Sequence, residues 1–247
     1  ELVFNIPLTS LGVFGSGGSS GNWDYLEVGI DNVLFDVVCF AKGTSIKTET
    51  DHTHIENLQI GDTVQTADGN VKPVRWIGSR KITVAHLKAN PKLYPIRISA
   101  GALGNSLPKR DLLVSRQHRI LVSSKVAERM FGVKDVLIPA IKLTALDGIF
   151  IDQSVQDIEY FHMLLDDHEM VLAEGAPSET LLTGAQCLNT LTPAAKKEVL
   201  ALFPNIEAEI SAPKTVRLVP ARKQQKRLID RHAQHKKPLL ELFNAQL

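Results

Sequence analysis

Between residue 39 and about residue 180 the apolar runs are short, and turn signals break every one of them. That pattern leaves no room for long helices and predicts an all-β domain of short strands. Ile60-Gly61-Asp62 reads as a turn. Val64-Gln65-Thr66 and the run Val71 to Trp76 face each other across Asp68-Gly69, a pair that supplies the positive φ of a tight hairpin. Pro73 has no N–H to give a ladder, which puts its strand at an edge or a bulge. Leu112 to Ser115 and Arg119 to Val122 flank Arg116-Gln117-His118, so His118 falls at a strand corner. Val136 to Ala140, Tyr160 to Leu165 and Glu169 to Ala173 read as further strands, the last ended by Gly175. One short helix is expected from Ser124, its N-cap, to Phe131, closed by Gly132.

The flanks differ in composition. Residues 1–38 hold five acids and no Lys or Arg, and Gly15 to Gly21 is a flexible Gly/Ser linker. Residues 23–38 read as one or two strands leading into Cys39. Residues 39–187 are balanced, with 17 basic and 17 acidic side chains, whereas residues 188–247 carry 11 basic against 5 acidic. Thr192-Pro193 is an N-cap followed by an N1 proline, opening a helix to about Phe203. Arg222 to Lys237, with seven Lys/Arg against one Asp, reads as a basic, largely solvated helix. Three units follow: an N-terminal tail over 1–38, a β domain over 39–187 and a basic helical extension over 188–247. No apolar run approaches the roughly 20 residues of a membrane span. Two cysteines make no disulfide framework, and no basic leader opens the numbering at Glu1.

Cys39 is the residue with the most direct chemistry. It stands between the apolar run Val33 to Val38 and a Gly43-Thr44 turn. A thiolate there reaches the carbonyl carbon of its own preceding peptide bond, Val38–Cys39, and exchanges the amide for a thioester that water or another nucleophile breaks. Such an N–S acyl shift needs a proton donor for the departing amine and hydrogen bonds to the developing oxyanion. Ser115 and His118, three positions apart at the corner, supply a hydroxyl and an imidazole. His162 in Tyr160-Phe161-His162, and His168 beside Asp166, Asp167 and Glu169, supply two more imidazoles on the last strands. The competing reading is that Cys39 is a small buried hydrophobe and each histidine is structural.

Taken in order, these segments resemble a Hint domain, the hedgehog/intein self-processing module, and its bacterial branch in particular. The resemblance rests on Cys39-Phe-Ala-x-Gly-Thr-x-Ile46, Ile55-Glu-x-Leu-x-x-Gly-Asp62 and Asp68-Gly-x-x-x-Pro-Val-Arg-Trp-Ile-Gly78. It continues in Arg97-Ile-x-Ala-Gly-Ala-Leu-Gly104, Arg110-Asp-Leu-x-Val-Ser-x-Gln-His-Arg119 and His168-Glu-x-x-x-Ala-x-Gly175. It implies a horseshoe-like β fold with pseudo-two-fold symmetry. It implies that Cys39 is the acyl-shift nucleophile, and it places Ser115 and His118 at the family's Thr-x-x-His positions. A bacterial secreted or cell-surface setting is implied in the same way. Ser115 replaces the more usual threonine and keeps the hydroxyl. Arg116 stands where this branch often has proline, an expected loosening of the corner that aims His118. Splicing would also need a terminal His-Asn. Gly175-Ala176-Pro177 offers none, and Asn189 is preceded by Leu188.

The expected activity is single-turnover self-cleavage at Val38–Cys39, with the upstream polypeptide as substrate and water or a small nucleophile resolving the thioester. His118 is the expected proton donor and Ser115 the hydrogen-bond donor, with His168 and His162 assisting. No cofactor, metal or nucleic acid is called for. Other readings stay open: a catalytically inactive Hint-fold interaction module, or a metal site built from His52 and His54 or from His162, His168, Asp166 and Asp167.

Overall fold

A computed structural model of the chain describes residues 38–181, 196, 197, 199, 200 and 215–244. The Gly/Ser linker, all but the last residue of the strands expected over 23–38, Cys187 and Asn189 lie outside the described residues. So does most of the helix opening at Thr192, of which residues 196, 197, 199 and 200 are helical.

Two six-stranded antiparallel sheets and one two-stranded hairpin build the domain, which is all-β as its turn spacing predicts. The chain threads them in order through β1 (Phe40–Ala41), β2 (Ser45–Lys47), β3 (His52–His54), β4 (Thr63–Gln65), β5 (Val71–Pro73), β6 (Trp76–Ile82) and β7 (Ile96–Ile98). Then follow β8 (Leu112–Val114), β9 (Arg119–Ser123), β10 (Asp135–Pro139), β11 (Ile149–Ile151), β12 (Ile158–Leu164), β13 (Met170–Ala173) and β14 (Ala176–Glu179). The first sheet has the order β11-β7-β8-β1-β12-β6 and the second β10-β9-β14-β13-β2-β3. The chain crosses from the first sheet to the second three times, at β1–β2, at β8–β9 and at β12–β13. These crossings bind the sheets into one body and bring distant residues to the same junction.

The hairpin predicted across Asp68-Gly69 is β4–β5, with Gln65 opposite Val71 and Gly69 at φ 82°. Pro73 lies opposite Thr63 on a strand whose one ladder partner is β4, the edge its missing N–H requires. The strand does not run on to Trp76, however: Val74 and Arg75 turn the chain out of the hairpin, and β6 starts at Trp76. The predicted short helix is α2 (Lys125–Phe131), after α1 (Val84–Ala89). Ser124 caps α2 by accepting a hydrogen bond from Ala127 N, and Gly132 closes it. A single turn, α3 (Ala140–Leu143), follows β10.

Strand β14 is not foreseen by the sequence reading, because Ala-Pro-Ser-Glu has neither alternation nor β-branched residues and contains a proline. Tertiary context makes it a strand. A two-residue turn with Glu174 at φ 49° and Gly175 at φ 77° folds it back on β13, pairing Ala173 with Ala176, and all four of its residues are buried.

The C-terminal helix α4 (Arg222–His235) is present, and it is not wholly solvated. Gln225, Leu228, Ile229 and His232 are buried along one face, while Lys223, Lys226 and Arg227 stay in solvent. Beyond it Leu239, Leu240 and Phe243 enter the main apolar core alongside strand residues such as Phe40, Ile120 and Val136. Leu240 N–H donates to Leu103 O at 2.9 Å, and Ser123 N–H donates to Leu239 O at 2.8 Å. Residues 215–244 therefore share the core of the β domain, and the packed body does not end where the composition changes. Replacing a fully buried leucine by alanine typically costs about 2–5 kcal/mol. Leu240→Ala is expected to lose that much in urea unfolding, and a loss under about 0.5 kcal/mol would mean that the tail only lies on the surface.

Candidate active site

Strand β1 is two residues long, and its register positions the site. Phe40 pairs with Val114 of β8 on one side and with Phe161 of β12 on the other. In antiparallel pairing, one step back along β1 is one step forward along each neighbour. Cys39 therefore stands level with Ser115 and with His162. Alternation then sorts the faces. Phe40, Phe161 and Met163 enter the main core, whereas Cys39, Ala41, Tyr160 and Leu164 belong to a second, smaller apolar cluster with Val38, Trp76 and Val199. His162 lies opposite Gly78 of β6. A Cβ at Gly78 would run into the Trp76 ring, so glycine leaves that ring its space.

Four groups meet the two peptide units around Cys39. His162 Nδ1–H donates to the Val38 carbonyl oxygen at 2.9 Å. The Cys39 Sγ lies 3.6 Å from Nδ1 and 3.8 Å from Nε2 of the same ring. The Cys39 N–H donates to Ser115 Oγ at 3.1 Å, and Ser115 N–H donates to Cys39 O at 3.0 Å. His118 Nδ1–H donates to the same Cys39 O at 3.0 Å, with the Phe40 ring packed edge-on against the imidazole at 4.4 Å. The tautomers follow from the partners, since a carbonyl only accepts.

The corner that carries His118 is well held. His118 N–H donates to Ser115 O, Ala140 N–H donates to His118 O at 2.8 Å, and Ile141 N–H donates to Arg116 O at 2.9 Å. The junction of β10 and α3 thus supplies rigidity that a proline at position 116 would otherwise bring.

Burial dominates the electrostatics. Desolvation pushes the Cys39 thiol well up, against a hydrogen bond from Ser115 and the charge of Arg80, which both pull it down. Desolvation lowers His118 to about 4, against the charge of Glu179 and the bond to Cys39 O. It lowers His162 to about 4 as well, against the bond to Val38 O, with Arg80 adding to the lowering. Both imidazoles are neutral at pH 7. Arg80 is half-buried and pairs with no carboxylate among the described residues. It projects from β6 opposite Tyr160 and lines, with Cys39, Ser115, Arg116, Tyr160 and His162, a cavity of about 20 Å³. That volume holds roughly one water molecule.

Of the residues singled out from sequence, Ser115, His118 and His162 are brought to Cys39. His168 is placed elsewhere: its Nδ1 accepts from Val216 N–H at 3.1 Å and its Nε2–H donates to buried Glu179 at 3.0 Å, a carboxylate that also binds Arg119. The hydroxyl of Ser115 sits at the Cys39 nitrogen, and it is His162, rather than His118, that sits at the Val38 carbonyl. Arg80 is absent from the sequence reading, and its one signal is its place in the strand two residues after Gly78. Among the described residues no three His, Cys, Asp or Glu side chains gather as metal ligands, and no helix is long and apolar enough to cross a membrane. His52 and His54 flank Thr53 on β3 with exposed side chains, beside Asp51 and Glu56.

The profile of the family described as Hint domain matches residues 38–185. No curated protein matches the chain. Among solved structures it is similar to the bacterial intein-like domain from Clostridium thermocellum, with 16% identity, 57% of this chain and 96% of that chain covered, and a TM-score of 0.40. It is also similar to the gp41-1 intein, with 14% identity, 57% and 97% covered and a TM-score of 0.35. For the MchDnaB-1 intein the values are 12% identity, 56% and 98% covered and a TM-score of 0.36.

A pH dependence follows from the two neutral imidazoles. In the unfolded chain they take up protons near 6.5, and in the fold only near 4. Between those values the unfolded state binds more protons, so stability is full above about pH 6.5 and falls as the pH drops through this window. In urea unfolding between pH 7 and 4, wild type is expected to lose more stability than His118→Gln, by about 3 kcal/mol. Parallel losses in the two proteins would contradict a buried neutral His118.

Proposed function

The chain belongs to the Hint domain family of self-processing modules, and we propose that it cleaves its own backbone at Val38–Cys39 through a thioester. The observation that carries this reading is that one peptide bond is engaged at both ends. His162 donates to its carbonyl oxygen, Ser115 accepts from its nitrogen, and the thiol of the following residue lies between them.

Each group has a role in this account. Sulfur attacks the Val38 carbonyl carbon, and negative charge grows on the oxygen that already accepts from His162. A donor aimed at that atom before reaction stabilises the transition state more than the ground state. The C–Sγ bond forms and the C–N bond breaks, and the proton lost by sulfur ends on the Cys39 nitrogen. Ser115 hydrogen-bonds both the thiol and the nitrogen, so its hydroxyl carries that proton. Arg80 offsets the cost of negative charge on a buried sulfur. His118 holds the Cys39 carbonyl and so fixes the orientation of the peptide unit, which makes it a positioning residue. Water then hydrolyses the thioester, giving a carboxylate on Val38 and restoring the thiol. The β-branched Val38 hinders attack and favours a slow reaction. His168, locked between Glu179 and Val216 N, supports the frame.

A second reading, an interaction module without activity, is favoured by one observation: burial holds the thiol protonated beside a cavity of about 20 Å³. Mass spectrometry of the purified chain over time separates the two. Cys39→Ala is expected to abolish release of residues 39–247, and His162→Ala to slow it about 10²-fold, the usual scale for an oxyanion donor. Ser115→Ala and His118→Ala are expected to slow it markedly, and Cys187→Ala to leave it intact. Cleavage at the same bond in Cys39→Ala would overturn the mechanism.

A further inference from the structure

Beyond the small cavity at the thiol lies a larger one of about 600 Å³, and Val38 is in its wall. Lys92, Arg116, Arg119, Lys142 and Arg222 line it, and no acidic side chain does so among the described residues. Arg119 is neutralised by Glu179, but Arg116, Lys142 and Arg222 have no carboxylate partner among the described residues. The two cavities share Lys92 and Arg116. The Val38–Cys39 bond therefore stands at their boundary, with the sulfur facing the small cavity and Val38 the large one. A volume of that size suits a small organic ligand. Concave walls of one sign focus the potential and raise the local concentration of counter-charged molecules. Five cations, from the single turn at 91–93, the 115–119 corner, α3 and α4, thus line the cavity that has Val38 in its wall.

We propose that this cavity binds a polyanionic nucleophile, a small molecule with two or more carboxylates and a thiol or amine, which takes the acyl group from Cys39. The proposal rests on the thioester reading above and names the acceptor. The acceptor's sulfur or nitrogen bonds to the Val38 carbonyl carbon, the C–Sγ bond to Cys39 breaks, and the proton lost by the acceptor restores the Cys39 thiol. Nothing is oxidised or reduced. The upstream segment leaves with the anionic molecule attached to Val38.

The test compares mercaptosuccinate, which carries two carboxylates, with neutral 2-mercaptoethanol on the full chain. Rates of release of residues 39–247 are normalised to the reaction of each thiol with a free peptide thioester. Mercaptosuccinate is expected to be about tenfold faster at equal low concentration and to saturate. The advantage should shrink in 1 M salt, where exposed charges are screened within a few ångströms, and fall towards one in the Lys142→Ala/Arg222→Ala double variant. Equal normalised rates, or an advantage untouched by the double variant, would overturn the anion site and leave the thioester standing. If neither thiol releases a fragment, the thioester reading fails, and titration of the Cys39→Ala chain with succinate decides the cavity separately. Saturable binding lost with Lys142 and Arg222 supports an anion site, and absence of binding overturns it.

Discussion

The site depends on the pairing of one two-residue strand with two neighbours. β1 takes up hydrogen bonds from β8 and β12 together, and that register alone sets Cys39 level with Ser115 and His162. Ser115 is 76 residues away in the chain and His162 is 123. Neither local propensity nor a short motif brings them together. The sheet does, and it holds them on backbone hydrogen bonds, where side-chain geometry is more precise than on a loop. Because a slip of one residue would turn Cys39 to the opposite face, burial of Phe40 in the main core also protects the register.

The same burial creates the electrostatic problem that the site has to solve. A buried thiol is held protonated, and two buried imidazoles are held neutral. Neutral His162 still serves the proposed chemistry, since the tautomer that its partner selects keeps Nδ1–H on the Val38 oxygen. The sulfur needs help, and the half-buried Arg80 and the Ser115 hydroxyl are the two groups that lower the cost of its ionisation. In the proposed reaction, burial keeps the resting thiol protonated until that proton moves.

How much of this was legible in the sequence depended on the range of the interaction. The Asp68-Gly69 hairpin, the Ser124 cap with its Gly132 stop and the corner at His118 are local, and the residues announce them. Cys39, Ser115 and His118 could be named because their order and spacing together match a family pattern, and His162 because it is an imidazole on one of the last strands, although neither signal said which imidazole sits at which carbonyl. Arg80 and the second role of Arg116 were not legible, because only cross-strand pairing and the convergence of two cavities reveal them. β14 was hidden by Pro177, and the docking of α4 by a composition so basic that its buried stripe of Gln225, Leu228, Ile229 and His232 is masked. His168 has the look of a catalytic histidine beside carboxylates, yet its partners are Glu179 and the backbone of Val216, which the sequence places far apart.

The central claim is that an acyl group passes from the Cys39 nitrogen to its sulfur. Incubating the full chain with hydroxylamine and taking the mass of the released N-terminal fragment tests it most directly. Attack on a thioester is expected to yield residues 1–38 with a hydroxamate on Val38, at a rate that rises with hydroxylamine and vanishes in Cys39→Ala. An unchanged intact mass over days, or a fragment ending in a plain carboxylate at a rate indifferent to hydroxylamine and to Cys39, would contradict it.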